Sequence, residues 1–294
     1  MDLTHVRFQG TPPPTRHLGP RRESGRPAPA DAKFSEHVPT PLGGLPALVL
    51  GQAGLDPASY RESPLRRRTP ACLRAIRAGS VTAALARLES DPHLTDVALN
   101  TLLIGVSAFF RDPAVFRTLG TTVIPALAER RRPLRIVSIG CSFGAELYSV
   151  AMLLSQAGLL DRSYLLGVDC RPAAVIQAKA GVFAGASVAA LDEPLRSRYF
   201  APAAGGWRLA NTLRRHTDWR VLDATRDCPT GPWDLVLCRN LVIYLQNHAA
   251  EAMFARLSRH LAPGGFLAVG NAERPPAALK LTQIGRCVYK THGV

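Results

Sequence analysis

The sequence predicts an α/β protein, a largely parallel sheet flanked by helices, preceded by a small all-helical domain. Three features carry that expectation. After Pro133 the apolar runs LRIVSI, YLLGVD and DLVLCRN alternate with stretches of helical periodicity, the pattern of strand–helix crossovers. Before Arg130 the apolar residues recur at helical spacing instead. A glycine-bearing loop, SIGCSFG, follows the first strand, where open parallel sheets bind their ligands. At about 100–200 residues per domain, a chain of 294 residues has room for two, and the expected division is 1–45, 46–132 and 133–294.

In chain order, residues 1–45 carry TPPPT, GPRR and GRPAPA with few large apolar side chains. They bury too little surface to offset the entropy of ordering and are expected to form a disordered arm. In the helical domain, 46–132, Val81, Ala84, Leu85 and Leu88 recur at helical spacing behind a capping Ser80. Leu99, Leu102, Leu103, Val106 and Phe110 repeat that spacing behind Thr95, and Asp112 before Pro113 has the form of a cap and first helical residue. The basic run RRRP at 130–133 closes the domain. Beyond it come the strand LRIVSI, a helix from Ala145 through Leu154, the strand YLLGVD and a helix from Ala173 to Ala180. Residues 191–219 lack a regular crossover pattern and are expected to form an inserted subdomain of short strands. The sheet resumes with DLVLCRN, a helix through Met253, Leu257 and Leu261, the turn APGG and the strand FLAVGN. In the tail, KLTQIG and RCVYKTH form an antiparallel pair at one sheet edge.

The formal charge of +14 is carried almost wholly by arginine, which fits a basic partner-binding face or simply an arginine-rich coding composition. No aromatic-interleaved or zinc-finger pattern accompanies it, so nucleic acid is not the expected partner. The six cysteines lack CxxC spacing and histidine neighbours, so neither a metal site nor a disulfide framework is expected. No apolar run reaches the roughly 18–20 residues needed to cross a bilayer, and MDLTHVRFQG lacks the apolar core of a secretory signal. A cytoplasmic protein without membrane insertion, monomeric, is the expectation.

The glycine loop has two readings. Gly-x-Ser-x-Gly, centred on Ser142, spells a hydrolase nucleophile elbow, which also sits on a strand-to-helix turn. That chemistry needs a late histidine on a loop after a strand, whereas His248 and His260 fall in a predicted helix and His292 in the tail. The other reading is a cofactor loop: Gly140 permits the turn, Gly144 permits close backbone approach, and the following helix offers free N–H groups. YLLGVD then ends its strand in Asp169, at the distance where an acid meets ribose hydroxyls in dinucleotide folds. Asp169 as a mere helix cap is the bland alternative. The loop departs from Gly-x-Gly-x-x-Gly, which favours S-adenosylmethionine over NAD.

Four segments, ALNTLLIGVSAFFRDPAVF, IGCSFGAELYSVAMLL, LLGVDCRPAAVIQAKAGVF and WDLVLCRNLVIYLQ, with GGFLAVGNAE after them, resemble the CheR-type methyltransferases that methylate receptor glutamates in bacterial chemotaxis. The resemblance covers residues from about 50 to 290. It implies a Rossmann-like S-adenosylmethionine-dependent methyltransferase fold with a small inserted β subdomain, the product S-adenosylhomocysteine, and an acidic helical cytoplasmic region of chemotaxis-type receptors as partner. It also implies cofactor positions at Ser107, Arg111, Gly140, Glu146, Asp169, Arg239 and Asn240, with Val221, Leu222 and Asp223 as the adenine region. Arg111 and Tyr244 fall at the reacting end of the site.

Blander roles stand beside these: a helix C-terminal cation for Arg111, a first-turn acid for Glu146 and strand-end packing for Tyr244. The chain departs from the family pattern at Gly105, where the family usually has Asn, and at RVLDA, where it often has Asn-Leu-Leu. Thr69 and Pro70 interrupt a helix that is usually continuous, which bears on receptor docking by Arg66, Arg67, Arg68, Arg74 and Arg77. Two alternative functions remain: methyl transfer to another acceptor, and a cofactor-binding signalling scaffold without turnover.

Overall fold

The computed structural model describes residues 43–103, 105 and 108–292. The expected arm lies outside them except at 43–45, where the first helix is already under way. Among the described residues the N-terminal region holds the α-helices α1 (Gly44–Gln52), α2 (Glu62–Arg66), α3 (Thr69–Ala75), α4 (Val81–Ser90) and α5 (His93–Leu102). α1 packs on α4 and α5, and α3 on α5. Ser80 Oγ caps α4 by accepting the Ala83 amide at 3.1 Å. Thr95, by contrast, is not a cap: α5 starts earlier because Asp91 Oδ1 accepts the His93 amide at 3.1 Å. The Thr95 hydroxyl donates instead to Gln52 Oε1 at 2.9 Å and ties α5 to α1.

Next come α6 (Pro113–Thr118), a π-helical turn (Leu119–Val123) and α7 (Ile124–Ala128). Asp112 precedes α6 but makes no capping bond. Its Oδ2 accepts from Arg239 at 2.7 Å, a charge-assisted bond stronger than one to a neutral amide. The basic run after α7 is a latch. Arg130 and Arg132 both ion-pair with Asp234, whose side chain is fully buried, and the Arg135 amide donates to the same carboxylate at 2.9 Å.

The sheet is built from β1 (Leu134–Ile139), β2 (Ser163–Asp169), β6 (Thr217–Val221), β7 (Trp233–Cys238), β8 (Leu261–Val269), β9 (Thr282–Gly285) and β10 (Val288–Lys290) in the order β6-β2-β1-β7-β8-β10-β9. β6, β2, β1, β7 and β8 are parallel, and β10 runs antiparallel to β8 and β9. Helices α8 (Ala145–Gln156), α9 (Pro172–Ala180) and α13 (Asn247–Arg259) are the crossovers. α13 buries Ala249, Ala250, Met253, Phe254 and Leu257, one face of a 3.6-residue helix. Leu261 belongs to β8 rather than to this helix.

The inserted unit is a three-stranded sheet, β3 (Val182–Phe183), β5 (Gly206–Leu209) and β4 (Phe200–Ala203), with short helices α10 (Gly185–Ala189), α11 (Glu193–Tyr199) and α12 (Asn211–Arg214). It takes its edge strand from Val182, upstream of the expected 191, and gives Thr217–Trp219 to β6 of the main sheet. Phe109 docks this unit: its ring meets Phe183 and Phe200 edge-on, with centroids 4.8 and 5.2 Å away. The segment 108–112, AFFRD, is thereby held between the inserted sheet and α8, where Ser149 Oγ accepts the Phe110 amide at 3.0 Å.

Candidate functional site

Strand order reverses between β1 and β7, so their carboxyl ends open a crevice, the usual ligand position in such sheets. Cys141 continues from β1, its amide donating to the Val168 carbonyl at 2.9 Å. Gly140 has φ +70°, and a Cβ there would lie 3.3 Å from the Leu241 side chain. A side chain at this turn is both strained and crowded. The helical region closes the crevice from the other side: the Arg61 amide donates to the Tyr244 carbonyl at 2.8 Å, and the Gln246 amide to the Ser59 carbonyl at 2.9 Å.

Two adjoining cavities result. One is bounded by Tyr60, Leu103, Gly105, Asp169, Cys170, Arg171, Leu222, Asp223 and Thr225. The other, wider one is bounded by Arg68, Ala108, Arg111, Cys141, Ser142, Glu146, Arg239 and Ile243. Gly105, Gly140, Asn240 and Tyr244 border both. The first has largely apolar walls with Asp169, Arg171 and Asp223 among them; the second is lined by three arginines and one glutamate.

Glu146 sits in the first turn of α8, where the helix dipole favours a carboxylate. Its Oε1 accepts from Ser138 Oγ at 2.8 Å and its Oε2 from Arg239 Nη1 at 2.9 Å. The Arg239 side chain is 1% exposed and also donates to the Arg111 carbonyl at 2.8 Å. It thus joins α8, β7 and the segment carrying Arg111.

A second buried acid, Glu273, shapes the loop after β7. Its Oε2 accepts the Asn240 and Gly270 amides at 2.8 and 2.7 Å, and its Oε1 the Val242 amide at 2.8 Å. Asn240 is thereby kept at φ +59°, in the left-handed region. Burial pushes the Glu273 carboxyl above its ordinary range, against the pull of those amides.

Of the residues expected at the site, Arg111, Gly140, Glu146, Asp169, Leu222, Asp223, Arg239, Asn240 and Tyr244 all border these cavities. Val221 borders neither and is 54% exposed at the end of β6. Ser107 lies outside the described residues. Ser142 adopts φ +50°, as an elbow serine would, but its hydroxyl donates to the Gly105 carbonyl at 3.4 Å and no histidine borders either cavity among the described residues. Sequence reasoning missed Tyr60 and Arg171. Arg171 had a local signal, a cation two residues beyond a strand-end acid; Tyr60 had none.

The cavities suit S-adenosylmethionine. Asp223 Oδ1 is occupied by the Thr225 amide and hydroxyl at 2.9 and 2.7 Å, while its Oδ2 is buried without a hydrogen-bond partner among the described residues. A buried orphan acceptor beside apolar walls fits a heteroaromatic ring bearing an amino group. Glu146 borders the wider cavity, where an ammonium group and a sulfonium would meet a carboxylate.

A family model described as the CheR methyltransferase SAM-binding domain matches residues 105–287. Among curated proteins, the chain is 33% identical over 193 residues to the probable biofilm formation methyltransferase WspC of Pseudomonas putida, covering 64% of this chain and 46% of that protein. It is 30% identical over 227 residues to the putative methyltransferase Cher3 of the same organism, covering 74% of this chain and 82% of that one. It is also 28% identical over 245 residues to a chemotaxis protein methyltransferase of Listeria monocytogenes, covering 82% and 94% respectively. The chain therefore spans about half the length of the first of these relatives and most of the other two.

Proposed function

This chain belongs to the CheR methyltransferase family, and from that premise we propose that it transfers a methyl group from S-adenosylmethionine to glutamate side-chain carboxylates of chemotaxis-type receptors, forming glutamate methyl esters. The observation that carries the acceptor assignment is the wall of the wider cavity: Arg68, Arg111 and Tyr244 all line it, a cationic setting for an anionic acceptor. Among the described residues no helix is long and apolar enough to cross a membrane. The working enzyme is proposed to be a cytoplasmic monomer that meets the acidic helical region of its receptor, with opposite charge speeding encounter.

The cofactor, when bound, supplies an electrophilic methyl group on a sulfonium. A glutamate is ionised at neutral pH, so its oxygen attacks without a general base, and the chain contributes positioning and partial desolvation. Arg111 and Tyr244 orient the acceptor carboxylate. Glu146 and Asn240 hold the amino-acid portion of the cofactor with Arg239 fixing Glu146, while Leu222 and Asp223 hold the adenine. Asp169 keeps the ribose corner in shape.

The test is transfer of labelled methyl from S-adenosylmethionine to a membrane fraction containing the host's receptors. The expected product is protein-bound label released as methanol by mild base; base-stable label would refute the glutamate assignment. Arg111→Ala is expected to lower transfer by about 100-fold or more, and full activity in that variant would remove Arg111 from the mechanism. The relatives named for biofilm formation favour a second reading, a receptor of a biofilm pathway rather than of motility. The same assay with each purified receptor decides between them.

A further inference from the structure

Asp169 and Arg171 form a closed pair at the corner where β2 meets the cofactor cavity. Arg171 Nε and Nη2 donate to Asp169 Oδ1 and Oδ2 at 2.9 and 3.1 Å. The Arg171 amide adds a second bond to Oδ1 at 3.0 Å, and the Ser142 amide a second to Oδ2 at 2.8 Å. An ionised carboxylate has about four lone-pair sites, so the acceptors that would take ribose hydroxyls are already occupied. The pair is held firmly. Both side chains are about 95% buried, and Arg171 Nη1 donates to the Leu103 carbonyl at 2.7 Å; separating two such buried charges is strongly unfavourable.

Arg171 nevertheless borders the cavity, and Gly105 is the reason. A Cβ at Gly105 would lie 2.9 Å from Arg171 Nη2 and 2.6 Å from Ser142 Cβ, so the guanidinium and the serine stand where a longer side chain would be. A guanidinium carries about five N–H donors and no acceptor; among the described residues three are directed at Asp169 and Leu103.

We infer that Arg171 is a specificity-determining residue of the cofactor pocket, which turns the acidic corner after β2 from an acceptor of ribose hydroxyl protons into a donor to the ribose oxygens. This rests on the S-adenosylmethionine reading of the cavity but not on the identity of the methyl acceptor. Fluorine on the ribose separates the two kinds of corner, because it donates no proton. Facing a carboxylate, it loses a charge-assisted bond and gains repulsion; facing a guanidinium, it is tolerated.

The experiment is calorimetric titration of the full chain with S-adenosylhomocysteine and with its 2′-deoxy-2′-fluoro and 3′-deoxy-3′-fluoro analogues. Wild type is expected to bind both analogues within about fivefold of the parent ligand, whereas Arg171→Leu, which frees the carboxylate, is expected to discriminate by more than about tenfold. A wild-type loss above about fivefold for either analogue overturns the inference whether or not the variant folds, and so does absence of binding by the parent ligand. Because no methyl acceptor takes part, failure of the glutamate reading would appear only in the transfer assay.

Discussion

Replacing Glu273 with Gln tests how the loop after β7 is held. The carboxylate accepts three main-chain amides, from Asn240, Val242 and Gly270, at 2.7–2.8 Å. A glutamine amide has one oxygen. If that oxygen takes the Oε2 position, it keeps Asn240 and Gly270 and turns its NH₂ toward the Val242 amide; in the opposite orientation it keeps Val242 alone. Either way at least one amide at a part-buried site loses its acceptor, at about 1–3 kcal/mol. The bonds that remain lose their charge assistance, worth about 1 kcal/mol together, and relief of the buried charge offsets part of this. The net expectation is a loss of about 2–3 kcal/mol. Urea unfolding followed by circular dichroism measures it at pH 7, and the affinity for S-adenosylhomocysteine should fall as well, because Asn240 and Tyr244 ride on this loop. Stability within about 0.5 kcal/mol of wild type would refute the reasoning, since that is the scatter of surface substitutions.

Other perturbations probe the remaining contacts. Asp234→Ala leaves Arg130, Arg132 and the Arg135 amide without their shared acceptor; about 2–4 kcal/mol should be lost, toward the lower end because Arg132 is 45% exposed, and an unchanged thermal midpoint would contradict the latch. Phe109→Ala empties the contact with Phe183 and Phe200, for an expected loss of about 3 kcal/mol and faster proteolysis within 182–209; an unchanged cleavage rate would show that the inserted sheet docks by other means. Burial raises the Cys72 and Cys228 thiols to about 11, and those of Cys141, Cys170 and Cys238 further upward. The unfolded chain then releases these protons near pH 8.5 while the folded one retains them, so stability present below that value falls as pH rises above it. The urea midpoint at pH 9.5 should be lower than at pH 7.5, and equal midpoints would count against the burial of these thiols.

What the sequence determined by itself is whatever can be read from neighbours along the chain. LRIVSI, YLLGVD and DLVLCRN are strands because they are short, apolar and bounded by turn residues, and α13 is legible because its apolar face repeats at helical period. The motif residues Gly140, Glu146, Asn240 and Tyr244 could be picked out before any contact was known. Short elements escaped: β3 is two residues long, and β6 reads TDWRV, more polar than the central strands.

The tertiary structure alone decided which charges meet. Arg130 reaches Asp234 across 104 positions, Arg171 reaches Leu103 across 68, and Glu273 gathers amides 31 and 33 residues upstream. Such pairs carry no local periodicity, because they depend on the register of β1 against β7 and on how the helical region closes over the strand ends. The acid Asp169 was visible in its motif. That its acceptors are spent on Arg171, through space left open by Gly105, follows only when three segments distant in sequence share one buried corner, where an unpaired charge is too costly to leave alone.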